Sequence, residues 1–218
     1  MTARSEAPMG ASSPRVPERL WASMLVRAVP ALVAALVITF AQDRQAAFVL
    51  VVFGGFALAT GVLIGFEAIG IPGHPTRGIT FARAVVTTLA GGTGLVLGTV
   101  PGAATPFALL VLIAAWAAVT GVLELLAGLI ARRYPAFSRD VVISGALTLL
   151  LAVLVFLTPA ELRQEYGGLE QIPGALTSPV QAAGFFGAYA TVLCVLLVVE
   201  GLTLRAATRR DEADGEPA

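Results

Sequence analysis

Three glutamates stand inside otherwise apolar runs of this chain, Glu67, Glu124 and Glu200, and three arginines, Arg27, Arg83 and Arg139, open neighbouring apolar runs. A carboxylate in an apolar medium is too costly to leave bare, so it takes up a proton, a cation or a hydrogen-bonded partner. The chemistry open to such a set is ion pairing, proton sensing or ion passage. Glu124 has its nearest downstream basic residue at Arg132 and Glu200 at Arg205, spacings of eight and five. Neither matches the three or four residues that bring side chains together on one helix. Each glutamate is therefore expected to meet an arginine of another helix, and which meets which is left open. Packing and orientation of helix ends stand beside proton sensing or ion passage as readings of these charges, because charge near the headgroups costs far less than charge at the bilayer centre.

Other chemistries lack their parts. One His, His74, and one Cys, Cys194, lie on different levels and assemble no metal site. His74, between Gly73 and Pro75, reads as a loop residue, and a nucleophilic triad fails for want of a second His. The GGTG run from Gly91 to Gly94 falls inside an apolar segment, so it is no phosphate loop. No cofactor is expected, no soluble catalytic domain is read, and the scattered arginines form no nucleic-acid surface.

The elements that must position the charges are membrane helices. Of 218 residues, 57% are hydrophobic and 13% charged, too apolar for a soluble domain of this length. Apolar runs of about 20 residues match the hydrocarbon thickness of a bilayer. Such runs predict helices at about 20 to 41, 46 to 70, 79 to 100, 106 to 131, 140 to 158 and 179 to 204. Pro72 with Gly73, Pro101 with Gly102, and Pro159 read as stops. Thr105 before Pro106, and Ser178 before Pro179, read as N-caps with proline in the first turn. Met1 to Arg19 is expected to be a disordered tail, the first apolar run a retained helix and not a cleaved leader, and 206–218 a second tail. Counted from helix starts near 46, 106 and 180, the glutamates fall 19 to 22 residues along, roughly 28–33 Å, which puts all three at one depth.

All fourteen basic residues are Arg, a bias that a GC-rich genome explains. Twelve of them gather on one side: Arg4, Arg15, Arg19, Arg27, Arg77, Arg83, Arg132, Arg133, Arg139, Arg205, Arg209 and Arg210; Arg44 and Arg163 lie on the other. Positive flanks are retained in the cytoplasm, so both termini are expected there, in the inner membrane of a bacterium. The loop from Pro159 to Ser178, with Glu161, Glu165 and Glu170, is then outside, and Trp21 and Tyr134 serve as inner-boundary anchors.

A repeat underlies the six spans. RAVPALVAA at Arg27, RAVVTTLAG at Arg83 and RDVVISGAL at Arg139 recur at a spacing of 56 residues, and the even helices share an aromatic opening followed by small residues and aliphatics. The architecture expected is all-α, six transmembrane helices as three tandem hairpins at about 20–70, 79–131 and 140–205. Thr60-Gly61-Val62-Leu63 matches Thr120-Gly121-Val122-Leu123, and WAAVTGVLELLAGL from Trp116 is the segment closest to a WAxxxGxxEL pattern. In that hairpin the chain resembles the HdeD-like family of bacterial acid-resistance membrane proteins, over nearly everything from Arg27 to Arg205. The resemblance implies a non-enzymatic membrane protein in acid or envelope-stress tolerance. A small transporter or channel for protons, ions or small solutes is the alternative. The lipid bilayer is the expected partner. Ala57, Gly61 and Gly65, with Gly94 and Gly98, allow close helix approach, either within the bundle or in a homo-oligomer.

Overall fold

The computed structural model describes residues 20–70, 75–131, 135–165 and 175–214. Six helices follow one another: α1 (Leu20–Phe40), α2 (Ala46–Gly70), α3 (Arg77–Thr99), α4 (Pro106–Ile130), α5 (Pro135–Phe156) and α6 (Ser178–Asp214). All six contain a stretch long and apolar enough to cross a membrane. The surface inverts that of a water-soluble domain, with Val29, Phe40, Phe66, Leu89, Phe107 and Phe156 all more than half exposed while arginine and glutamate are buried. Lipid takes up such a surface without penalty.

Helix limits agree with the apolar runs except at two ends. α5 starts five residues earlier than expected, and α6 continues ten residues past 204. The apolar stretch ends near Ala206, but the helix runs on through Arg209, Arg210, Asp211 and Glu212, all compatible with a helix in water. Thr105 caps α4 by accepting the Ala108 N–H at 3.1 Å, with Pro106 in the first turn. Ser178 is not the expected cap. It lies within α6, and its hydroxyl reaches the carbonyls of Pro159 and Ala160 at 2.9 and 2.7 Å, fastening α6 to the end of α5. Between these helices β1 (Arg163–Glu165) pairs antiparallel with β2 (Ala175–Thr177), Arg163 opposite Thr177. This ribbon is the one departure from helix among the described elements. The expectations for the tail before Leu20, for Pro72, Gly73 and His74, for Arg132, Arg133 and Tyr134, and for Glu170 lie outside the described residues.

The even helices form the centre. Half of the α2 span is buried and 44% of α4 and of α6, against 39%, 22% and 28% for α1, α3 and α5. The six close into a ring in chain order, because α6 packs against α1. Seams within the ring alternate. The close ones join α2 to α3, α4 to α5 and α6 to α1; those within each hairpin, α1 to α2, α3 to α4 and α5 to α6, are looser. Between helices in lipid, close packing replaces hydrophobic expulsion as the main attraction, so small residues mark the tight seams. A Cβ placed on Gly54 would lie 2.9 Å from the Gly91 carbonyl oxygen, and one on Gly91 equally close to that of Gly54. Gly145 lies similarly against Gly121 in the α4 and α5 seam, and Gly201 against the Trp21 carbonyl between α6 and α1. Gly61, Gly94 and Gly98 all make close contacts between α2 and α3. The Trp21 ring lies 4.9 Å from the Arg205 guanidinium, a cation–π contact across the α1 and α6 seam.

Candidate charged site on the bundle axis

Each even helix sends a column of every fourth residue toward the axis: Phe56, Thr60 and Ile64 from α2; Trp116, Thr120 and Glu124 from α4; Tyr189, Leu193 and Leu197 from α6. Residues four apart share one helix face, so the columns stack into three layers. The first layer is aromatic. With Phe53 and Phe186 it makes a cluster of mostly edge-to-face rings in mid-helix, Phe53 to Trp116 at 5.1 Å and Phe56 to Phe186 at 5.4 Å, with Phe186 stacked on Tyr189. The Trp116 indole N–H donates to Thr87 on α3 at 3.3 Å, which satisfies it without water. Thr60, Thr120 and Leu193 form the second layer, and Ile64, Glu124 and Leu197 the third, toward the arginine-rich end.

Around these columns the odd helices supply Arg27 from α1, Arg83 and Thr87 from α3, and Thr148 from α5. Together they enclose a narrow cavity of about 10 Å³, room for the centre of about one water molecule.

Glu124 is the hub, with 3% of its side chain exposed. Arg83 forms an ion pair with Oε1, the Ser144 hydroxyl donates to Oε1 at 3.3 Å, and the Thr148 hydroxyl reaches Oε2 at 3.1 Å. Thr148 also lies 3.3 Å from the Tyr189 hydroxyl, which donates to it and extends the chain of hydrogen bonds to α6. One carboxylate thereby ties α3, α4, α5 and, at one remove, α6. A second pair stands one turn nearer the arginine-rich end, where Arg27 Nη1 donates to Glu67 Oε2 at 3.1 Å and the two side chains are 8% and 10% exposed.

Two of the three expected arginines thus meet two of the three glutamates, each within its own hairpin. The third pair does not form. Arg139, 78% exposed, turns to Asp140 at 3.6 Å, and Glu200 is half-buried with no ion pair or hydrogen bond among the described residues. The burial phase explains this. In α3 the buried positions are Ala84, Thr87, Ala90, Gly91 and Gly94; in α5 they are Gly145, Thr148, Leu151, Ala152 and Val155. The offset is 61 residues, five more than the 56 that relates Arg83 to Arg139. Ser144 therefore occupies the place of Arg83, and Arg139 lies about 7.5 Å nearer the helix start. The expectation of one common depth is corrected as well. Glu67 and Glu200 each stand eleven residues past their layer aromatic, Phe56 and Tyr189, but Glu124 stands only eight past Trp116, one turn further inside.

Sequence reasoning missed Ser144, Thr148, Tyr189 and the threonines of the second layer. The signal available was the four-residue spacing that begins at Phe56, Trp116 and Tyr189. Among the described residues no group of three or more His, Cys, Asp and Glu side chains is placed to hold a metal ion. No family model matches the chain, and no curated protein or solved structure matches it.

Proposed function

We propose that the chain is a non-enzymatic, multi-pass protein of the bacterial cytoplasmic membrane that serves acid or envelope-stress tolerance, with Glu124 as its acid-responsive group. The observation that carries this reading is the convergence of Arg83, Ser144 and Thr148 on a single buried carboxylate. Protonation there removes the charge that holds Arg83 and changes the contacts of three helices at once, a local event with a global readout. The resemblance of the Trp116 segment to the HdeD-like family supplies the setting. The twelve-to-two arginine split supports termini in the cytoplasm.

Survival of acid challenge tests it. Cells making the Glu124→Gln protein are expected to survive less well than cells making the native chain at equal membrane abundance. Equal survival with an unchanged fold would overturn the reading. Labelling of cysteines placed at 159–165 only from the cytoplasmic side would reverse the proposed orientation.

A transporter or channel is the second reading, favoured by the charged cavity on the axis. Against it stands the aromatic layer, which fills mid-helix where a path for solutes has to run. Saturable flux into liposomes under a pH gradient, abolished by Glu124→Gln, would place this reading first.

A further inference from the structure

The bundle is hollow at the end opposite the arginine-rich one. α2, α4 and α6 all begin there, at Ala46, Pro106 and Ser178, and residues of all three ends line an open cavity of about 490 Å³. That volume lies in the range of small-molecule sites. Ala46, Ala104, Pro106, Ala175, Pro179 and Val180 give it walls without a hydrogen-bonding side chain. Its polar side chains are Gln45, Thr177 and one pair of opposite charges, Asp43 and Arg44. It shares no residue with the cavity at Glu124, and the aromatic layer lies between the two.

Both charges have local duties that leave them unfinished. Asp43 Oδ1 accepts the Gln45 N–H at 3.0 Å, in the turn that starts α2, and its second oxygen stays open. Arg44 Nη2 reaches the Thr39 carbonyl at 3.4 Å, a long contact at the end of α1. The Arg44 Nε–H is buried and has no partner. Among the described residues neither side chain is in an ion pair, not even with the other. A guanidinium carries five N–H donors, so most of its capacity is unspent within the protein. α6 adds a backbone donor. The Ser178 hydroxyl is turned to the Pro159 and Ala160 carbonyls, the Ser178 N–H bonds the Leu162 carbonyl at 3.3 Å, and Pro179 has no N–H. Val180, a wall residue, therefore carries the first uncommitted N–H of that helix.

The balance of charge selects the guest. One negative and one positive side chain leave the lining neutral. Glu161, Arg163 and Glu165 stand at the same end outside the lining and add one net negative charge, which disfavours a bare anion. The unpartnered Arg44 Nε–H disfavours a bare cation in turn. A zwitterion is complementary at both ends, and apolar walls ask for an apolar body. We propose that this cavity binds a small zwitterion with an aliphatic body, of the α-amino acid class. Its carboxylate lies against Arg44 and the Val180 N–H, its ammonium against Asp43, and its side chain against the alanine, proline and valine walls. The site stands apart from the acid-response reading and does not depend on it.

The test titrates the purified full chain in detergent with L-leucine, L-valine and L-methionine, following binding by saturation-transfer NMR. Saturable binding of at least one is expected. For leucine, 4-methylpentanoate lacks the ammonium and leucinamide lacks the carboxylate, and each is expected to bind about tenfold more weakly. Arg44→Gln and Asp43→Asn are each expected to weaken amino-acid binding about tenfold, and Asn retains the acceptor that the Gln45 N–H needs. No saturable binding of any of the three overturns the proposal, as does binding that survives either substitution unweakened. Equal binding of leucine and of either analogue overturns it too. Should a variant fail to fold, the analogue series on the native chain decides. Phosphatidylethanolamine retained through purification by the native chain but not by Arg44→Gln, with no amino-acid binding once it is removed, would give the cavity to a lipid headgroup and overturn the proposal.

Discussion

The first two hairpins and the third solve the same problem differently. In α1 with α2 and in α3 with α4, an arginine of the odd helix holds a glutamate of the even one, and both pairs are largely buried. In α5 with α6 the arginine faces outward, the glutamate is left half-buried, and the hydroxyls of Ser144 and Thr148 turn to the glutamate of the preceding hairpin. A five-residue slip in the buried face of α5 is enough to produce the difference. A repeat can thus keep its helices and lose its chemistry, and the third hairpin comes to serve the second.

The contrast is sharpest if the inner pair is broken. Arg83→Ala or Glu124→Ala leaves one charge buried without its counter-charge, and thermal unfolding is expected to show a loss of about 3–5 kcal/mol. Comparable stability to the native chain would mean that the pair is hydrated and that the two halves do not differ in kind. Next in size is the tight seam. Gly91→Ala sets a methyl against the backbone of α2, an overpacking expected to cost about 1–3 kcal/mol, whereas Gly92→Ala, with open space around it, should be nearly silent. Glu67→Gln, which weakens but does not abolish the bond to Arg27, should cost about 1–2 kcal/mol in the same assay. Arg205→Gln removes the contact with Trp21 and is expected to cost about 0.5–1 kcal/mol. Last come Arg139→Gln and Glu200→Gln, expected to stay within about 0.5 kcal/mol. A larger loss at either would restore a third charged link that the geometry lacks.

The six spans were legible because lipid imposes length and apolarity on every helix, and proline and glycine mark several of the turns. Gly102 is one such mark, its φ of +79° admitting the turn between α3 and α4 at no steric cost. The need for a partner from another helix was legible for Glu124, whose spacing of eight to Arg132 excludes local pairing; the same reasoning at Glu200 led to a pair that does not form among the described residues. The buried face was not legible. In a soluble helix the polar side reports the core by contrast, but α2, α4 and α6 are apolar on both lipid and core faces, so Phe56, Thr60 and Ile64 do not stand out from Val62 or Phe66. The same lack of contrast hid the slip in α5, where RDVVISGAL matches its counterparts by letter while its buried positions start five residues later. Ser144 and Thr148 were passed over because hydroxyls in membrane helices usually bond their own backbone, as Thr99 and Thr203 do here and as Thr148 also does, its hydroxyl 2.9 Å from the Ser144 carbonyl.

The ring of seams also bears on how the protein is made. Membrane helices enter the bilayer one after another as synthesis proceeds, and α2 finds its glycine-packed neighbour α3 at once, as α4 finds α5. α1 has no such neighbour until α6, the last of the six, has emerged and brought Gly201 and Arg205 against Leu25 and Trp21. Until then Arg27 has only the looser α2 beside it. The first helix to be inserted is the last to be locked, and closure of the bundle becomes a checkpoint that only a chain extended through α6 passes.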